Sequence, residues 1–150
     1  MNGWTLAAAV TLGVGLAATL WGVATGPLSH RVAAQNLSTA LACPGLLLLS
    51  QGYDRPSYVD LALVLAVLGP VGTLVFARLL VGELADDPPP ARWPTWAAAG
   101  LGAAVVLALC AATGPGRRTV KLLVAGALLI GGNLVAAHAA AGGFREVRRG

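Results

Sequence analysis

Four residues set in apolar surroundings carry most of the chemistry this sequence offers: Asp60, Pro70, Thr73 and Asn36. Asp60 opens a run of seventeen uncharged residues, 61–77, that Arg78 closes. An ionisable group inside a membrane span is costly and usually faces a protein interior or water. A carboxylate in such a place can take up and release a proton, or ligate a dehydrated Na⁺. It lies about one turn into its span, so a second role is open. Ser57 and Asp60 have the S-x-x-[DE] spacing of a helix-start box, in which the acid would serve the first amides.

Pro70, in Gly69-Pro70, cannot donate a backbone hydrogen bond and so frees the carbonyl near Ala66. In lipid that carbonyl must find a hydroxyl, a water or a cation, and Gly72 and Thr73 lie just beyond. The plain alternative is a packing kink. Asn36 and its neighbour Gln35 cannot titrate, but they can orient water or bond to another helix. His30, beside Arg31, is expected in a solvated loop. His138 falls about one turn from the end of its span, where a titrating or interface-facing imidazole is plausible chemistry.

These residues must be positioned by membrane-spanning helices. Apolar residues make up 57% of the 150 and charged residues 11%, less than half the usual quarter for a soluble domain. Five apolar stretches stand out, Trp4–Thr25, Val32–Ser50, Tyr58–Val81, Thr95–Ala112 and Val120–Ala141. Each approaches or exceeds the roughly 17–25 residues of a membrane helix. None alternates like a strand, and none has the polar face of a soluble bundle helix. The fold expected is all-α, an integral membrane protein of about five transmembrane helices. Met1-Asn2-Gly3 carries no basic residue ahead of the first stretch, which therefore reads as a retained span rather than a signal peptide.

Three units follow. Residues 1–82 form a three-helix membrane unit in which Cys43-Pro44-Gly45 should break the second helix near its middle. Residues 83–95, with Pro88-Pro89-Pro90, read as a semi-rigid linker. Residues 96–150 form a two-helix hairpin with a basic tail, and its last helix carries Asn133 as well as His138.

Connections on the side of the N-terminus hold Arg55, Arg117, Arg118 and Lys121; the other side holds Arg31, Arg78, Arg92, Arg145, Arg148 and Arg149. That bias favours an external N-terminus and a cytoplasmic tail. The net charge of +4 is accounted for by loops that meet phospholipid headgroups, without a nucleic-acid partner. Cys43 and Cys110 both fall in spans and form no CxxC, so no metal or cofactor is expected. No nucleophile–base arrangement supports an enzyme. One acid and one late histidine are too few for a complete ion path, so a transport role would be that of one subunit among several.

The run Val59-Asp60-Leu61-Ala62-Leu63-Val64-Leu65-Ala66-Val67-Leu68-Gly69-Pro70-Val71-Gly72-Thr73, followed by Ala77-Arg78, resembles the third-helix signature of MrpF, also called MnhF or PhaF. Gly26-Pro27 and His30-Arg31-Val32-Ala33-Ala34-Gln35-Asn36 resemble that family's first loop and second helix. The resemblance covers about residues 1–82 and is more specific in the third helix. It implies a small three-helix subunit of a multisubunit Na⁺ (monovalent cation)/H⁺ antiporter in a bacterial cell membrane. Other Mrp-type subunits would be its partners, with monovalent cations and protons as cargo. Asp60 matches the family's helix-3 acid. Where the family usually has acids flanking its arginine segment, this chain has His30 and Asn36. The last helix faintly resembles that of MrpG, a neighbouring subunit. A second function class stays open, a membrane scaffold that assembles the complex and moves no ion.

Overall fold

A computed structural model describes residues 2–80 and 91–140. Five helices are long and apolar enough to cross a membrane: α1 (Gly3–Ala24), α2 (Leu28–Gly52), α3 (Ser57–Leu79), α4 (Trp93–Thr113) and α5 (Arg117–Ala140). No strand occurs among the described residues. The chain is therefore an all-α membrane protein, with helix ends within a few residues of those expected. Most of the proline-rich linker and the basic tail after residue 140 lie outside the described residues.

Each helix end has a local cause. Asn2 caps α1 by accepting the Thr5 amide at 2.9 Å, and its Nδ2 donates to the Gly52 carbonyl at 2.8 Å. One side chain thus pins the start of α1 to the end of α2. The turn between them is short because Gly26 takes φ +96°, a conformation that a side chain would strain. Pro27 then serves as N-cap of α2, and Arg31 Nε donates back to the Gly26 carbonyl at 3.0 Å. His30 and Arg31 consequently belong to the first turn of α2 and not to a loop.

Two other expectations are corrected. Pro44 does not break α2, which runs unbroken from Leu28 to Gly52. Cys43, Pro44 and Gly45 are all buried, and the Cys43 thiol lies 3.6 Å from the Ala62 carbonyl on α3. The tripeptide is a contact patch where small and compact side chains let neighbouring helices approach. The helix-start box of α3 does not form either. Pro56 occupies the cap position without a side-chain bond, so Ser57 is already inside the helix.

Helix α2 is the hub and packs against the other four. Helix α3 separates its residues by size. Val59, Ala62, Ala66, Thr73 and Ala77 are buried, whereas Leu61, Val64, Leu68, Val71 and Val75 are exposed. The inward stripe is almost all small, which permits close approach to α2 and α5; the outward stripe suits lipid or another apolar helix. Gly69 completes the inward stripe. A Cβ there would stand 2.6 Å from Thr39 Oγ1 and 2.8 Å from Thr39 Cβ on α2. Gly69→Val is expected to destabilise the chain itself by about 2 kcal/mol, measured by unfolding in mixed micelles.

The α4–α5 hairpin is not set apart from the first three helices. Helix α5 packs on both α2 and α3, and α4 packs on α2. Toward the α1 N-terminal end, Leu47, Val59, Val105, Leu109 and Leu122 make a shared apolar core. A second cluster of Ala40, Cys43, Ala66, Ala98 and Leu129 follows, and beyond it the packing turns polar.

Candidate functional site

That polar layer joins four helices. Asn36 of α2 and Asn133 of α5 are 4% and 3% exposed, and Asn36 Nδ2 donates to Asn133 Oδ1 at 2.7 Å. Asn133 Nδ2 in turn donates to the Thr95 carbonyl of α4 at 3.4 Å. On the other flank, the buried Thr73 hydroxyl of α3 lies 3.5 Å from Asn36 Oδ1 and donates to the Gly69 carbonyl at 3.1 Å. The Thr39 hydroxyl donates to the Asn36 carbonyl at 2.8 Å. No buried side-chain nitrogen or oxygen among the described residues lacks a partner, as a low-dielectric interior requires.

Pro70 sits at the edge of this layer. Helix α3 passes through it without ending, and Gly132 of α5 sits against its ring. A Cβ at 132 would be 2.5 Å from Pro70 Cγ and 3.5 Å from the Ala66 carbonyl oxygen that the proline leaves free. Glycine at this place lets α5 close over the proline and brings Asn133 up to Asn36. Among the candidates from sequence, then, Asn36, Thr73 and Pro70 meet in one place.

Asp60 is elsewhere. It lies thirteen positions before Thr73 on α3, about 20 Å along the helix axis. Its carboxylate pairs with Lys121 Nζ of α5 at 3.0 Å, and both side chains are more than half exposed. His138 is exposed near the end of α5. Cys43 is buried, Cys110 is partly so, and no group of His, Cys, Asp or Glu able to hold a metal occurs among the described residues.

A vestibule of about 360 Å³ leads to the amide pair from the end of the molecule where α2 and α4 begin. Gly26 and His30 line it with Thr19, Thr25, Pro94 and Thr95, and it reaches Asn36 and Asn133. Beyond the amides, the gap bordered by Thr39, Cys43, Leu65, Pro70 and Leu129 has no room for a water molecule. The opening is thus a blind funnel. Amide, hydroxyl and carbonyl oxygens at its floor are neutral donors that can replace part of the hydration shell of a monovalent cation, or orient water. They cannot carry a proton by titration.

Asn133, noted on the last helix but not among the site candidates from sequence, is the missing partner. The available signal was an amide after Gly131-Gly132 in an otherwise apolar helix. Its pairing across 97 positions of sequence needed the tertiary structure.

Long apolar helices packed around a satisfied polar layer define a multi-pass helical membrane protein. Within it, residues 30–81, in α2 and α3, match the family of Multiple resistance and pH regulation protein F (MrpF / PhaF). That family is one of subunits of multiple resistance and pH regulation cation antiporter complexes, which contain other Mrp subunits. The match omits α1, which the resemblance from sequence had included, and omits α4 and α5. No curated protein and no solved structure matches the chain.

Proposed function

We propose that the chain is a small membrane subunit of a Na⁺ (monovalent cation)/H⁺ antiporter, and that its polar layer lines part of the cation or proton path. The observation that carries this reading is the funnel ending on Asn36 and Asn133. A purely structural amide clasp does not need an open approach from the end of the helices. The path is incomplete within this chain, because the funnel is blind and Asp60 stands at the opposite end. Partner subunits supply the rest. Transport, not catalysis, is the activity proposed.

The bias in basic residues supports a bacterial plasma membrane orientation with the N-terminus outside. In that orientation the funnel opens to the cytoplasm and Asp60 faces the exterior. Asp60, paired with Lys121 at 3.0 Å, would meet the cation or proton at that side. A scaffolding role is the second reading. The complete mutual satisfaction of the amides and the exposed, ion-paired state of Asp60 favour it.

Asp60→Asn and Lys121→Met separate the two. Each removes the same exposed ion pair, which contributes about 0–1 kcal/mol to stability, so both complexes should assemble. If Asp60 works in transport, Asp60→Asn lowers antiport in everted vesicles by about tenfold or more while Lys121→Met retains most of it. Equal, near wild-type rates in both would leave Asp60 with a structural role only.

A further inference from the structure

At the end of the molecule opposite the funnel, a cleft of about 350 Å³ opens between the C-terminal turns of α2 and α4 and the N-terminal turns of α3 and α5. Its lining is split by chemistry. Arg117, Arg118 and Lys121 stand at the rim, whereas Val59, Leu109 and Leu122 form the wall beneath. Leu109 and Leu122 belong to the buried core, so the cleft descends from the headgroup level into the apolar interior.

The cations are unequally engaged. Arg118 pairs with Asp54 at 3.0 Å and Lys121 with Asp60 at 3.0 Å. Arg117 has no acidic partner among the described residues and is exposed. Three cations against two carboxylates leave surplus positive charge. The first amides of α5, at Arg117 to Thr119, add the positive end of a helix dipole. The open volume is of the size of ligand pockets generally, about 300–1,000 Å³.

We infer that this cleft holds an anionic phospholipid, with its phosphate at Arg117 and Arg118 and an acyl chain along Leu109 and Leu122. A soluble anion would use the rim and leave the apolar wall unmatched; a neutral lipid would use the wall and leave Arg117 unmatched. Basic pockets between membrane helices recognise acidic headgroups for this reason. The site is built mostly from α4 and α5, outside the family-matched segment, and does not depend on the transport reading.

Native mass spectrometry of the full chain in detergent, titrated with phosphatidylglycerol or phosphatidylcholine, tests it. The wild type should bind one phosphatidylglycerol about tenfold or more tighter than phosphatidylcholine. Arg117→Gln/Arg118→Gln should erase that preference, while Arg92→Gln, at the other end of α4, should keep it. If the double variant is not monodisperse, Arg117→Gln alone should weaken phosphatidylglycerol by about threefold or more, since charge-assisted contacts to phosphate are lost. Equal binding of the two lipids, an unchanged arginine variant, an equal loss in Arg92→Gln, or complete displacement by millimolar inorganic phosphate would each overturn the inference.

Discussion

Asn36→Leu is expected to destabilise the chain by about 1–2 kcal/mol, and Asn36→Leu/Asn133→Leu to recover most of that loss. The single change removes the donor at 2.7 Å and leaves the Asn133 oxygen facing a hydrocarbon side chain in a site only 3% exposed. A buried acceptor without a partner keeps its desolvation cost, whereas two apolar side chains of similar shape leave nothing unsatisfied. Interhelical hydrogen bonds in membranes average about 0.6 kcal/mol and reach about 1.7, which sets the upper part of the range. Thr73 keeps its bond to Gly69 in either variant, so α3 is not expected to lose its own local support. Unfolding in mixed micelles reads the difference. A neutral single leucine would show that the amide pair contributes nothing to holding α5 on α2.

The largest loss of stability is expected from Gly132→Val. A Cβ at this position would lie 2.5 Å from Pro70 Cγ and 3.1 Å from Pro70 Cβ. The proline ring cannot rotate away, and the Ala66 carbonyl behind it is backbone. Helix α5 must therefore retreat from α3, which also pulls Asn133 from Asn36. Overpacking alone costs about 1–3 kcal/mol, and loss of the amide bond brings the expected total to about 3 kcal/mol or more. Gly131→Ala is the control, because nothing lies within 4 Å of a Cβ there. Its effect should be near zero or slightly stabilising, since alanine suits a helix better than glycine by about 1 kcal/mol. Similar melting of the two variants would mean that α5 does not seat on Pro70 as described.

The spans were legible because lipid leaves a chain few alternatives. Runs of Ala, Leu, Val and Gly of sufficient length must close their backbone hydrogen bonds within a helix. Details inside those runs were harder to read. Pro44 looked like a break, but a membrane helix tolerates proline where neighbouring helices pack tightly, and Pro44 is buried between them. His30 looked like a loop residue because Pro27 ends one helix; the same proline, with its missing amide, also begins the next. The start box at Ser57 failed because Pro56 had already taken the cap position.

The site was half visible. Asn36 and Thr73 could be picked out as polar side chains in apolar helices, and Pro70 as the source of a free carbonyl. That they meet was not readable, because helical spacing gives a face but not which neighbour covers it. Asn133 supplies the missing partner from α5, a helix outside the family-matched segment. Asp60 drew attention because acids are rare in spans, yet it sits at a helix end where its pair with Lys121 is largely exposed. Rarity marked the residue without fixing its depth.

The layer around Asn36 and Asn133 is proposed to lie on a cation or proton path. Monovalent cation/proton antiport in everted vesicles, for complexes assembled with wild-type chain or with Asn36→Leu/Asn133→Leu, tests it most directly. The double variant keeps the helices packed while removing the oxygen donors at the floor of the funnel. The path predicts normal assembly with antiport reduced by about tenfold or more. Wild-type antiport from the fully assembled double variant would contradict it and make the amide pair a clasp between helices.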